Sequence, residues 1–190
     1  LIKNPFDEAD LREGIKVIKS KQLTLSTKTT QIEKYFNKKF KVRNSTMLNS
    51  GSSANLLAFQ TLINPYRKKR LEPGDEVLVP ALTPIMCGTT IHLAGGTPVY
   101  VDVNPETFLL DENDLEKKIT NKTKAVLAVH MYSGICNLNN LKKICKKKKL
   151  FLIEDCAEAV GGKDENNNLA GTIGDISCWS FQTAKQLTSG

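Results

Sequence analysis

Residues 124–154 read KAVLAVHMYSGICNLNNLKKICKKKKLFLIE. The stretches at 124–130 (KAVLAVH) and 150–154 (LFLIE) are nearly continuous runs of Val, Leu, Ile and Ala rather than alternating ones. Such runs suit strands covered on both faces. Between them, 138–149 carries a helical pattern that ends in lysines, where the helix dipole favours cations. Strand, helix and strand in this order predict a crossover unit of a parallel sheet.

The same alternation extends outward. Further strands are expected at 76–80 (EVLVP), 98–103 (PVYVDV) and 176–181 (ISCWSF), and further helices at 54–63, 85–93 and 112–119. Upstream, a helical start at 6–20 precedes an amphipathic stretch at 31–40, where Ile32, Tyr35, Phe36 and Phe40 recur at helical spacing. EPGD (72–75) is a turn, and DENNNLAG (164–171) is a polar turn that could join a short hairpin. The expected fold is α/β with a mostly parallel sheet. Ligands of such sheets sit beyond the carboxyl ends of the strands, which singles out Asp155 and the segment after 176–181.

Composition narrows the function. Of 190 residues, 40% are apolar and 25% charged, enough to bury one core. The net charge of +7 does not imply nucleic acid, because the basic residues form no groove interleaved with aromatics. Their densest run, Lys142, Lys143 and 146–149, reads as a solvated helix end. Cys87, Cys136, Cys145, Cys156 and Cys178 form no C-x-x-C pair, so free thiols in a reducing cytoplasm are expected, without disulfide or metal. The N-terminus lacks a signal-peptide pattern, and no stretch approaches the roughly 20 apolar residues of a membrane span. Because the sequence begins at Leu1 and stops at Gly190 within a motif, it is read as a fragment.

Four segments in order, NSGSSAN (49–55), VPALT with GGTPVYVDV (79–83 and 95–103), IEDCAEAVG (153–161) and SFQTAKQLTSG (180–190), resemble the DegT/DnrJ/EryC1/StrS sugar aminotransferases. The resemblance runs from about residue 23 to the end. It implies the large domain of a pyridoxal phosphate (PLP) enzyme, a three-layer α/β/α structure over 23–190, truncated at its C-terminal end and preceded by a helical segment at 1–22. It also implies a likeness in chemistry: amino transfer from glutamate or glutamine to a nucleotide-linked keto-sugar, in a homodimer with shared sites.

By that resemblance Lys185 holds the cofactor covalently and shuttles a proton. An amine with that task must be uncharged part of the time and aimed from a fixed loop. Asp155, 30 residues earlier, keeps the pyridine nitrogen protonated so that the ring accepts electrons. Gly51, Ser52 and Ser53 open a helix whose amides and dipole favour the phosphate, joined by Ser180. A plain serine cap, or an Asp capping a helix, are the structural alternatives. Glu154 should face the other way from Asp155.

Two positions depart from the family pattern. Pro84 stands where many members place a ring-stacking aromatic. Glu158 stands where the family has a glutamine that donates to the cofactor's phenolic oxygen; an ionised Glu cannot donate, so it is protonated, turned away, or the electronics differ. His130 reads as structural, His92 as a core residue, and Trp179 and Phe181 as core. Two other functions are open: a sugar 3-dehydratase of the same family, whose lysine position is histidine, and a non-catalytic remnant of the fold.

Overall fold

Five strands form one parallel sheet in the computed structural model, which describes residues 6–24 and 26–189. They are β1 (Glu76–Pro80), β2 (Thr97–Val101), β3 (Thr123–Val129), β4 (Phe151–Asp155) and β5 (Ile176–Cys178), ordered β2-β1-β3-β4-β5. Every neighbouring pair is parallel. The helices are α1 (Glu8–Ser20), α2 (Thr27–Phe40), α3 (Gly51–Ile63), α4 (Ile85–Leu93), α5 (Glu112–Lys118) and α6 (Leu138–Lys148). Residues 1–5 of the expected N-terminal segment, and Gly190 of the last motif, lie outside the described residues.

Alternation along the strands builds two separate cores. On one face Val77, Val79, Ala125, Leu127, Val129, Phe151 and Ile153 pack with Phe59 and Leu62 of α3 and Ile91 of α4. On the other, Leu78, Val126, Ala128 and Leu152 pack with Leu115 of α5 and with Leu141 and Ile144 of α6. Helices on both faces explain why β3 and β4 carry no alternating polar residues, and they make the fold a three-layer α/β/α structure. Among the described residues no helix is long and apolar enough to cross a membrane.

Several boundaries differ from those expected. Helix α3 starts at Gly51 instead of residue 54 because Ser50 caps it, its Oγ accepting from the Ser53 N–H at 3.1 Å. Strand β5 stops at Cys178 because its partner β4 ends at Asp155, the residue opposite. Trp179 and Phe181 then leave the sheet. Their rings meet Phe36 and Phe40 of α2 at 5.2–5.6 Å between centroids, so they are half-buried in an aromatic cluster rather than in the main core. His92 is exposed, a correction to its expected core position; one helical step from buried Ile91 turns it about 100° away. The 164–171 turn is stitched by an antiparallel bridge between Lys163 and Leu169, with the Asp164 carboxylate accepting from the Asn166 and Asn168 N–H groups.

Strand β4 ends in two adjacent carboxylates that point to opposite faces. Glu154, fully buried, accepts from the N–H groups of Gly171, Ile173 and Gly174 and from His130 Nε2 at 3.1 Å. The Cys136 N–H donates to His130 Nδ1, which assigns the ring proton to Nε2. His130 is therefore structural. Burial raises the Glu154 carboxyl, but the His130 and backbone donors more than offset it and hold it below the usual range.

Replacing Glu154 by Ala strands those donors in the interior. Urea unfolding of the full-length Glu154→Ala protein should show a loss of about 3 to 5 kcal/mol. A loss below about 1 kcal/mol would mean that the loop before β5 is held by something else.

Candidate active site

Asp155 closes β4 on the face covered by α3 and α4, only 3% exposed. Its Oδ2 accepts from Asn55 Nδ2 of α3 at 2.6 Å and faces Cys87 Sγ of α4 at 3.5 Å; its Oδ1 accepts from the Ala157 N–H at 2.9 Å. The residues after Asp155 form turns and no helix, so helix capping does not account for it. Burial and the Asp155 charge push the Cys87 thiol up to about 12. Cys87 thus stands beside Asp155 as a neutral thiol.

The amino end of α3 meets the end of β5. A Cβ placed on Gly51 would lie 3.1 Å from Ser180 Cβ and 3.3 Å from its Oγ, so glycine permits the close approach. Ser180 is buried between Trp179 and Phe181, whose rings turn to α2. Because Ser50 supplies the cap, the Ser52 hydroxyl is left exposed at the helix start, whereas Ser53 is drawn into the cap, its Oγ accepting from Ser50 Oγ at 3.0 Å. The first amides of a helix have no acceptor within it.

Lys185 is carried by a turn in which its N–H donates to Gln182 O at 2.8 Å, and Ser189 N–H returns to Phe181 O at 2.9 Å. Its Nζ lies 3.0 Å from Glu158 Oε1, and the other carboxylate oxygen accepts from the Tyr132 N–H at 3.1 Å. Gln186 Nε2 ties the same turn to Ser133 Oγ and to the Glu158 carbonyl. Tyr132 and Ser133 adopt left-handed backbone (φ 51° and 66°), a conformation that costs non-glycine residues energy and clusters at sites. Burial raises the Glu158 carboxyl; the Lys185 and Tyr132 hydrogen bonds and the Lys185 charge together outweigh it, leaving it below its ordinary 4.5. Glu158 thus faces Lys185 as a hydrogen-bond acceptor.

Three groupings result, all beyond the carboxyl ends of β4 and β5: Asp155 with Asn55 and Cys87, Gly51 with Ser180, and Lys185 with Glu158. Pro84 is exposed at the start of α4, its carbonyl accepting from the Cys87 N–H at 2.9 Å. Asn55, Cys87 and Tyr132 were not singled out from sequence. For Asn55 the signal was its place four residues after Gly51, on the same helical face and one turn deeper, and in line with the apolar Ala58, Phe59 and Leu62. His130, Glu154 and Cys156 also offer ligand atoms within 4.8 Å of one another, but the first two are already engaged and burial pushes the Cys156 thiol to about 12.

The fold and these groupings define a doubly covered α/β domain with an amine, a buried carboxylate and a helix amino end at one edge. The chain belongs to the DegT/DnrJ/EryC1/StrS aminotransferase family, whose sequence model matches residues 5–190. It is 40% identical over 169 residues to a GDP-perosamine synthase of Escherichia coli O157:H7, covering 87% of this chain and 44% of that protein. Among solved structures it is similar to E. coli GDP-4-keto-6-deoxy-D-mannose-3-dehydratase with bound hydrated PLP: TM-score 0.92, 30% identity, 99% of this chain and 48% of the other. It is likewise similar to the PLP form of a putative sugar aminotransferase from Streptococcus pneumoniae, with TM-score 0.86 and 28% identity over 96% of this chain and 48% of that one. The chain spans about half the length of the relatives it matches.

The Lys185–Glu158 pair has a pH signature. A carboxyl lowered in the folded state adds stability above its unfolded value and loses it as pH falls through the folded one. Wild type should exceed Glu158→Gln in thermal stability at pH 7, and the gap should close as pH drops below about 4. A gap that does not vary with pH would show that the carboxylate charge is not its source.

Proposed function

We propose that the full-length protein is a PLP-dependent aminotransferase, moving an amino group from glutamate or glutamine to a nucleotide-linked keto-sugar. Such a product serves aminosugar and cell-surface polysaccharide synthesis. The observation that carries the reading is Lys185 Nζ held 3.0 Å from Glu158 on the loop that leaves Asp155. In this reading residues 23–190 are the cofactor-binding domain behind a helical segment at 1–22, and the working enzyme is a cytoplasmic homodimer with shared sites.

The residues fit the cofactor. Gly51 keeps the approach to Ser180 narrow and free of side chain, so the α3 amides with the Ser52 and Ser180 hydroxyls can receive a phosphate, while Ser53 fixes the helix start. Asp155 is a buried carboxylate suited to a protonated pyridine nitrogen. When bound, PLP supplies an aldehyde for an amine to bond and a ring that withdraws electrons. To bond an aldehyde Lys185 must be neutral, and Glu158 Oε1 lies within reach to take the proton from Nζ. Freed again, Lys185 can carry a proton at the same atom.

A second reading, a sugar 3-dehydratase, draws on the likeness to the E. coli 3-dehydratase at a TM-score of 0.92, which an aminotransferase from Psychrobacter cryohalolentis all but equals at 0.91. Lys185 weighs against it, since the resemblance places histidine there in dehydratases. Full-length protein mixed with PLP should develop a visible absorption band that borohydride fixes onto Lys185, and Lys185→Ala should form no adduct. With glutamate and a keto-sugar nucleotide, mass spectrometry should find the aminated sugar. A dehydrated sugar would establish the second reading, and no adduct on wild type would overturn the aminotransferase reading.

A further inference from the structure

Asn55 is an amide on the buried side of α3 beside Ala58, Phe59 and Leu62, 1% exposed, with one half of its polarity used and the other not. Nδ2 donates to Asp155 Oδ2 at 2.6 Å, and Oδ1 is buried without a hydrogen-bond partner. Turning the amide over would set one oxygen against another at that distance, so an ionised Asp155 dictates the orientation. An unsatisfied buried acceptor is costly and calls for an explanation. Leucine or alanine would suit the surrounding apolar face of α3 without that cost.

We propose that Asn55 is a positioning residue for Asp155. Its amide fixes the rotation of the carboxylate from behind and stabilises the anion, while Ala157 N–H holds Oδ1. Asp155 is thereby presented to the pyridine nitrogen in one orientation. Because Asn55 and Gly51 share α3, the helix that receives the phosphate at its first turn sets the carboxylate with its second, and the separation of the two ends of the cofactor is fixed by one rigid element. The proposal rests on the PLP reading of the site.

The test compares full-length wild type with Asn55→Ala and with Asn55→Leu, which nearly keeps the shape and removes the donor. Fluorescence titration with PLP gives the dissociation constant, the absorption spectrum of the bound form reports the ring, and melting without PLP reports the fold. Asn55→Ala should weaken PLP binding about tenfold and Asn55→Leu at least as much, with a shifted absorption maximum and melting temperatures near wild type. Should Asn55→Ala be too unstable to assay, the similarly sized Asn55→Leu decides alone. Wild-type affinity and spectrum in Asn55→Leu would overturn the positioning role and leave the PLP reading intact. Failure of wild type to bind PLP would overturn both.

Discussion

Two anions at the end of one buried strand are the constraint from which the rest of the domain follows. A strand sends consecutive side chains to opposite faces, so Glu154 and Asp155 can be solvated only by different helices and loops. Each obtains a separate set of donors. Glu154 gathers three backbone N–H groups from the loop before β5 and Nε2 of His130 from the end of β3, which fixes where β5 enters the sheet. Asp155 takes one side chain from α3, one thiol contact from α4 and one local amide. The first set is closed to solvent and to ligands; the second leaves a carboxylate at the edge where a ligand of a parallel sheet belongs.

The position of β5 has further consequences. Once Cys178 has paired with Asp155 the ladder ends, and the next three residues are sorted by chemistry rather than by sheet. Trp179 and Phe181 turn to the aromatic rings of α2, leaving Ser180 against Gly51. The turn that follows delivers Lys185 to Glu158 and Gln186 to the strained Tyr132–Ser133 corner. The buried Cys87, Cys145 and Cys156 thiols, held near 12, and Cys178, raised well above its ordinary value, behave as packing groups around this framework.

The parallel sheet was legible because both faces of β3 and β4 are covered, which writes itself as an uninterrupted apolar run. The opposition of Glu154 and Asp155 was legible from the two-residue period alone. Boundaries set by tertiary partners were not. That β5 stops at Cys178 depends on where β4 ends, and that His92 faces outward depends on which side of α4 meets the sheet. Ser50 as the cap of α3 was hidden among four similar residues, Ser50 to Ser53, any serine of which satisfies the same preference. Asn55 was hidden for a different reason. An amide in a helix is ordinary until its partner, 100 residues away, is known to be a buried carboxylate.

Glu158 shows how one substitution of type alters the chemistry available to a site. A glutamine there could donate to a phenolic oxygen, and a protonated glutamate could do the same. The carboxyl is instead lowered by Lys185 and by the Tyr132 N–H, so it is an acceptor and a counter-ion. Its position pairs it with the one amine at the site and holds that amine 3.0 Å away. In the proposed reaction this makes the lysine's proton, rather than the phenolic oxygen, the business of Glu158: Oε1 is the acceptor that Nζ faces. The left-handed corner at Tyr132 acquires a purpose in that scheme, since it is what aims a backbone N–H at the second carboxylate oxygen and leaves the first for Lys185.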